Sequence, residues 1–404
     1  MIGTAGLPRL PFRRASVLDI APEYAGLRRA GGITRVRAPG GEQAWLVTRH
    51  ADVRSLLADP RMSSVVPPDE TEPQDTDPGT GGSMFRTPSP ADDFDPFARG
   101  VVTAAFSKRG MQVFTERVEE LADALVDAMA AEHDTHGGPV DVHAHVSLPF
   151  PAQVVCMVLG VAREDWDRVQ ALAARATTLV GAEAQDAMSE LMALIADLAA
   201  LKRRRPAEDV LSELVALQRR QPAIRDERIA LFAAGLVFAG VKNTLHNIDL
   251  GILLLLANAR ARARITADVP LADGVTEEIL RLGASPGAFG IGMARYAYED
   301  VSVGGVVIPR GDMAILSIVA ANRDEQVFGD SSVLDPDRPE RAHLAFGHGA
   351  HFCPAARLAR TELRVALSTL FRRLPGLRLA ADVATLDRDL GEDGGGVSPL
   401  LVTW

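Results

Sequence analysis

HLAFGHGAHFCPAARLARTE, residues His343 to Glu362, is the stretch that decides how this chain is read. Cys353 stands between a glycine-punctuated loop and a strongly helical run. Gly347 and Gly349 permit backbone angles that a side chain forbids, so the loop can fold tightly beneath a flat partner. Pro354 is placed near a first helical position, and helix formers follow it. The pattern predicts a helix that starts at the sulfur, where its amide hydrogens and dipole favour a thiolate. Three fates compete for such a cysteine. A buried structural thiol is the common one. A zinc site would draw on His343, His348, His351 and Cys353, but zinc ligands usually pair as C-x₂-C or H-x₃-H and no second cysteine is near. The third is haem with an axial thiolate.

Composition narrows the field. The chain has 404 residues, 47% of them apolar, enough for a large core in one domain or several. A formal net charge of −10 argues against nucleic acid as a partner. Two cysteines, Cys156 and Cys353, give no disulfide framework and suit a reducing cytoplasm. Cys156 falls in the apolar run Val154–Leu159 and reads as a packed core thiol. The N-terminal residues lack the apolar core of a signal peptide. The apolar stretches at 229–241 and 248–257 are interrupted by Lys242, Asn243 and Asp249, which predicts that neither spans a bilayer. A soluble protein is expected.

The rest of the chain falls into recognisable stretches. Ile33–Arg37 and Ala44–Thr48 are short β-type runs around Pro39-Gly40-Gly41, a hairpin pattern, and His50 to Leu57 is helical up to Asp59-Pro60. Residues 63–93 carry six prolines, and five acids before residue 80, which predicts a long loop. From about 96 to 260 the apolar spacing is helical. Lys202-Arg203-Arg204-Arg205 closes a helical pair over 166–206 and reads as a solvated helix end. Asp226 to about Ala259 reads as one helix, apolar nearly all round and so expected to cross the core. Ala239-Gly240 removes bulk in its middle, either for close helix packing or for a partner that approaches the backbone. Glu278 and Arg281 share a helical face. Val301–Ile308 and Ala314–Val319 are β-rich, and Pro399–Trp404 reads as a closing strand.

F-G-H-G-A-H-F-C followed by L-A-R closely resembles the signature of the cytochrome P-450 haem-thiolate monooxygenases, and the resemblance runs in order along essentially the whole chain. It implies a mainly α fold with small β-sheets, a long central distal helix and a proximal cysteine loop. It implies one domain over 1–404, with a small β-rich part at about 30–60 and 295–320 and a pocket-covering loop at about 63–93. Cys353 is then the axial ligand of haem b iron, with O₂ as co-substrate. His351, Arg295 and Arg99 are the candidates for the haem propionates; the family's histidine four residues before that last arginine is here Asp95. Phe346, Gly347 and Gly349 shape the proximal loop. Glu278, Arg281 and Arg338 resemble the family's Glu-Arg-Arg network. Met84, Phe85, Gly235, Phe238, Ile291 and Val397 take pocket positions.

Two departures stand out. Ala355 replaces a usual glycine and Pro354 removes an amide hydrogen near sulfur, which should make the thiolate more electron-rich. On the long helix, Ala239-Gly240-Val241-Lys242-Asn243-Thr244 puts lysine and asparagine where the family has an acid–alcohol pair that passes protons. Thr244 lies about 100° round the helix and should not substitute. Either Asn243 and ordered water do this work, or the substrate supplies part of the relay. The resemblance implies hydroxylation or epoxidation of a lipophilic small molecule in specialised metabolism, with ferredoxin and a ferredoxin reductase as separate electron donors. Arg357, Arg360 and Arg364 follow the cysteine at helical spacing and would suit an acidic ferredoxin, or form a solvated face. Oxidative coupling of aromatic rings is the alternative reaction. A non-catalytic haem-binding or sensor protein is the alternative from another class. Neither a nucleic acid nor a membrane is expected as partner, and the cytoplasm is the expected location.

Overall fold

A computed structural model describes residues 6–14, 16–67, 96–178, 182–222, 224–267, 269–283, 291–386 and 397–404. Met84, Phe85 and Asp95 lie outside the described residues, as does most of the 63–93 stretch. The chain divides into two compact units: 1–92 with 277–353 and 392–394, and 93–276 with 354–391 and 395–404.

The first unit is built on a five-stranded sheet. Its strand order is Ile33–Arg37, Gln43–Val47, Met313–Leu316, Met293–Ala297, Met62–Ser63. The first two strands form the expected antiparallel hairpin, Ile33 opposite Val47, with Gly41 at a positive φ in its turn. Met313–Leu316 then lies parallel to the second hairpin strand and antiparallel to Met293–Ala297. Strand alternation sorts the side chains into two cores. Val47, Ala314 and Leu316 join Val53, Leu56 and Leu57 of helix His50–Ala58 on one face. Ala44, Leu46, Met313 and Ile315 join Leu10, Tyr24 and Val36 on the other. The β-rich run at 314–319 is shorter than its composition suggests. Pairing stops where the Ser317 amide donates to the Val47 carbonyl, and Ile318–Ala321 turns helical. Val301–Val303 and Val306–Ile308 form a separate hairpin on Gly304 and Gly305.

The second unit is helical. Its long helix, Asp226–Ala257, has 32 residues and so spans about 48 Å. It packs against Pro149–Leu159, Ala182–Arg204 and Ala356–Arg373. Gly240 allows close approach to the first of these, because a Cβ there would sit 2.8 Å from Cγ2 of Val155. Asn258 ends the helix and caps the next, Ala259–Ile265, by accepting from the Ala261 amide. A small sheet orders Val140–Asp141, Leu401–Thr403 and Arg378–Leu379.

The helix runs unbroken through Lys242, Asn243 and Asp249, as one core-crossing helix was expected to. Among the described residues it is long and apolar enough to cross a membrane by length and composition, a test that a mostly buried core helix also passes. Asp249 sits inside it fully buried with partners: His143 Nδ1 at 2.7 Å and the Val397 amide at 3.0 Å. One expectation needs correction. The basic run at 202–205 is not a simple solvated end. Lys202 is buried against Asp209, and Arg203 reaches Gln218 and Asp226.

Candidate active site

Cys353 is half-buried at the end of a loop that the first unit holds from several sides. The Cys353 amide donates to the Phe346 carbonyl at 2.8 Å, and the Gly347 amide to the Leu344 carbonyl at 2.9 Å. Gly347 and Gly349 have φ of 72° and 73°, the left-handed region that L side chains rarely enter. Gly349 is required twice over, since a Cβ would also lie 2.9 Å from Cα of Ala58. Phe346 and Phe352 meet edge-on. The following helix begins at Ala356, with Ala355 as its cap, so Pro354 precedes the helix instead of opening it. The helix therefore does not start at the sulfur as expected: the chain makes a turn over Pro354 and Ala355 first. Cys156 is the buried core thiol the sequence suggested, and burial pushes its pKa up to about 12.

The histidines do not gather. His343 turns to Glu277, His348 accepts from Arg54, and His351 is exposed. Among the described residues no group of three His, Cys, Asp or Glu side chains could hold a metal ion, which removes the geometric basis for zinc there.

Glu278, Arg281 and Arg338 are brought together as expected. Arg281 forks onto both oxygens of Glu278 at 2.7 and 2.8 Å, and Arg338 Nε reaches the same carboxylate at 3.0 Å. The remaining guanidinium hydrogens go to carbonyls: Arg281 to Asn322, Ser331 and Val333, and Arg338 to Phe328, Asp330 and Val333. Burial raises the Glu278 pKa, but Arg281, the Asp335 amide and Arg338 outweigh it and hold the carboxyl below its ordinary value. A pair this deep stabilises little by itself but fixes the segments its spare donors reach. Arg295 is buried on strand Met293–Ala297 and donates to the Ala294 carbonyl at 2.8 Å. Arg99 is half-buried in helix Pro96–Ala105.

In the second unit, the long helix is bare in its middle as well as at its ends. Ala239 and Asn243, one turn apart, are exposed, while Ala233, Ala234, Val237, Val241, Thr244 and Leu245 around them are buried. Lys242 and Gly240 are half-buried. Asn243 Nδ2 donates to the Ala239 carbonyl at 3.2 Å, and Asn247 Nδ2 to the Asn243 carbonyl at 2.7 Å. Thr244 is turned away, with its hydroxyl bonded to the buried carboxyl of Glu362. Of the expected pocket residues, Phe238 is half-buried, while Gly235, Ile291 and Val397 are buried. Ile291 belongs to the core cluster with Tyr296 and Ile315.

Sequence reasoning missed Glu277, Glu362 and the His143–Asp249 pair. Only an acid inside an apolar helix, as at Asp249, was a signal that could have found one of them.

These residues fit a haem with a thiolate ligand. The thiol sits on a loop that only glycine at 347 and 349 can form. Buried Arg295 offers a cation for a propionate. In the second unit, taken by itself, the long helix leaves Ala239 and the Asn243 amide exposed in its middle.

Comparisons with known proteins identify the family. A family model described as Cytochrome P450 matches residues 181–376. The chain is 36% identical to pentalenolactone synthase of Streptomyces exfoliatus, over 98% of this chain and 99% of that protein. It is 34% identical to mycinamicin IV hydroxylase/epoxidase of Micromonospora griseorubida, over 93% and 94%. Among solved structures, cytochrome P450 MoxA of Nonomuraea recticatena matches with a TM-score of 0.84 at 32% identity, covering 98% of each chain. A thiol loop, an arginine-bound glutamate and near full-length similarity thus converge, and the chain belongs to the cytochrome P450 family as a monooxygenase.

Proposed function

We propose that the chain inserts one oxygen atom of O₂ into a lipophilic small molecule of specialised metabolism, by hydroxylation or epoxidation, in the cytoplasm. The other oxygen leaves as water, with two protons and with two electrons supplied by a ferredoxin and its reductase. Haem b supplies the oxygen chemistry when bound, with a thiolate favouring O–O cleavage. The reading is supported by relatives named as a hydroxylase/epoxidase and as an N-oxygenase of antibiotic-type compounds.

The observation that carries it is the Ala239–Asn243 window on the long helix. Small side chains leave room for a substrate and oxygen, and Asn243 offers a hydrogen-bonding group in an otherwise apolar surround. Cys353 would hold the iron, Arg295, His351 and Arg99 the propionates, and Phe346 would shield the sulfur. Arg357 is exposed for an acidic partner, whereas Arg364 lies 3.8 Å from Asp273 and is less free for one. Single-domain organisation over 1–404 follows from the same reading.

The test loads the protein with haem, supplies ferredoxin and reductase, and screens lipophilic metabolites with ¹⁸O₂. Label in the product supports oxygen insertion; an unlabelled ring-coupled product favours oxidative coupling, the reading that the Lys242-Asn243 departure keeps in view. A bound haem that never turns over would make this a sensor. A positioned proton donor contributes about 10²–10⁴-fold. In this reading Asn243 orders the water that delivers the proton, so Asn243→Ala is expected to divert electrons into hydrogen peroxide and lower product per reductant consumed. Lys242→Ala should matter less, since a half-buried lysine carries its ammonium outwards. Full coupling in Asn243→Ala would sink the Asn243 role.

A further inference from the structure

His343 is the member of the histidine-rich stretch whose burial the haem reading leaves unexplained. Its side chain is only 2% exposed and connects two groups. Nε2 lies 3.0 Å from Oε2 of Glu277, and Nδ1 accepts the Ala345 amide at 3.3 Å. A backbone N–H can only donate, so Nδ1 carries no proton in this bond. The ring proton is then on Nε2 and is donated to the carboxylate.

Glu277 comes from helix Val269–Gly283, immediately before Glu278. The two adjacent carboxylates reach different parts of one loop. Glu278 takes Arg338 and the Asp335 amide, while Glu277 takes His343 ten residues before the cysteine. Asn322 adds a third anchor: its Oδ1 accepts the Leu344 amide at 2.7 Å, and its backbone carbonyl accepts from Arg281. The consecutive amides of Leu344 and Ala345 therefore both end on side chains. The carbonyl one residue further on, that of Phe346, receives the Cys353 amide. One peptide unit separates the histidine's bond from the bond that holds the thiol residue.

We propose that Glu277 and His343 are a positioning pair for the thiolate: the carboxylate orients the imidazole, Nδ1 holds Ala345, and the Phe346 carbonyl, so placed, holds the Cys353 amide and with it the position of the sulfur. The pair rests on the haem-thiolate reading of Cys353. A carboxylate behind the ring fixes its tautomer and makes Nδ1 a stronger acceptor, the logic by which outer partners tune metal ligands elsewhere. If the pair is broken, the Cys353 amide is released and the sulfur loses its fixed position, so a thiolate donates less well to iron and the iron potential rises.

Two substitutions separate the arms. In His343→Gln the amide reaches the Nε2 position, keeping Glu277 but losing the Ala345 acceptor. In His343→Asn, Oδ1 stands near the Nδ1 position, keeping Ala345 but losing Glu277. Three readouts are taken on the full chain: amide hydrogen exchange across 344–353 with and without haem, the ferrous–CO spectrum, and the midpoint potential. His343→Gln should exchange Ala345 and Cys353 at least tenfold faster. It should shift part of the CO band to the shorter wavelength of a thiol-ligated form, and move the reduction equilibrium about tenfold, or 59 mV for one electron. His343→Asn should return all three most of the way, and Glu277→Gln should fall between. Wild-type exchange, band and potential in His343→Gln overturn the proposal, even with a lowered melting temperature. So does a His343→Asn as impaired as His343→Gln. A wild type without the thiolate CO band sinks the haem reading instead, and exchange in the haem-free protein then still decides whether the pair holds the loop.

Discussion

Glu362 offers the sharpest quantitative test of the fold, because it buries an acid with almost nothing to stabilise its charge. It sits in helix Ala356–Arg373, only 2% exposed, with the Thr244 hydroxyl as its partner and Oε1 without one. Burial pushes its pKa from 4.5 up to about 8, and the Thr244 hydroxyl opposes this only in part. The sign follows from which state gives up its proton first. Below pH 4.5 both states hold it, and the group does not affect stability. Between 4.5 and 8 the unfolded chain ionises while the folded one does not, so stability falls as pH rises. Above 8 the loss is complete. At about 1.4 kcal/mol per pH unit the full loss is on the order of 5 kcal/mol, and at pH 7 about 3 kcal/mol. Glu362→Gln removes this dependence and keeps an acceptor for Thr244. Its extra amide hydrogens lack partners, a cost of about 1–3 kcal/mol that does not vary with pH. The variant should therefore be no more stable than wild type at pH 5, and should gain on it by about 1.4 kcal/mol per unit up to pH 7.5. Urea unfolding followed by circular dichroism at pH 5, 6, 7 and 7.5 measures the difference. A difference that stays constant across this range refutes the reasoning.

The thiols are tested together: Cys353→Ala should abolish the red-shifted Soret band of the ferrous carbonyl, while Cys156→Ala, buried and on helix Pro149–Leu159, should keep it. An unchanged spectrum in the first variant ends thiolate ligation by Cys353. Pro354→Leu supplies an amide hydrogen beside the sulfur and should raise the midpoint potential, read by spectroelectrochemical titration without substrate. A fall, or no change with the fold intact, counts against that reading of the loop.

Local chemistry was legible in the sequence, and contacts between distant segments were not. The Ile33–Val47 hairpin, the Gly347–Gly349 loop and the Glu278–Arg281 pair all depend on neighbours within a few residues, where glycine angles, alternation and helical spacing act directly. The resemblance then supplied Arg338, which spacing alone did not. His143 and Asp249 are 106 positions apart, and nothing near either one announces the other. Strands of two residues, such as Met62–Ser63, Val140–Asp141 and Arg378–Leu379, carry no period to read. The parallel pairing of Gln43–Val47 with Met313–Leu316 joins segments from opposite ends of the chain. The basic run at 202–205 misled because composition describes a solvated end well until one lysine finds a buried aspartate.

The long helix shows why replacing an alcohol by an amide changes what the side chain does at a proton site. A hydroxyl can accept one hydrogen bond while donating another, so it passes a proton by exchanging partners. Asn243 is held differently. The Ala239 carbonyl cannot donate, so the atom facing it is Nδ2, and Oδ1 is left pointing outward as an acceptor. An amide in this pose does not itself give up a proton to oxygen. It can fix a water by accepting one of its hydrogens, leaving the other to be delivered. Asn247 repeats the pose one turn on, with Nδ2 on the Asn243 carbonyl and Oδ1 buried without a partner. Thr244, the nearest hydroxyl, is committed to Glu362 on another face of the helix. In the proposed reading the proton would then come from ordered water or from the substrate, and Asn243 would govern only where that water stands. That is why coupling, and not haem binding, is the quantity Asn243→Ala should change.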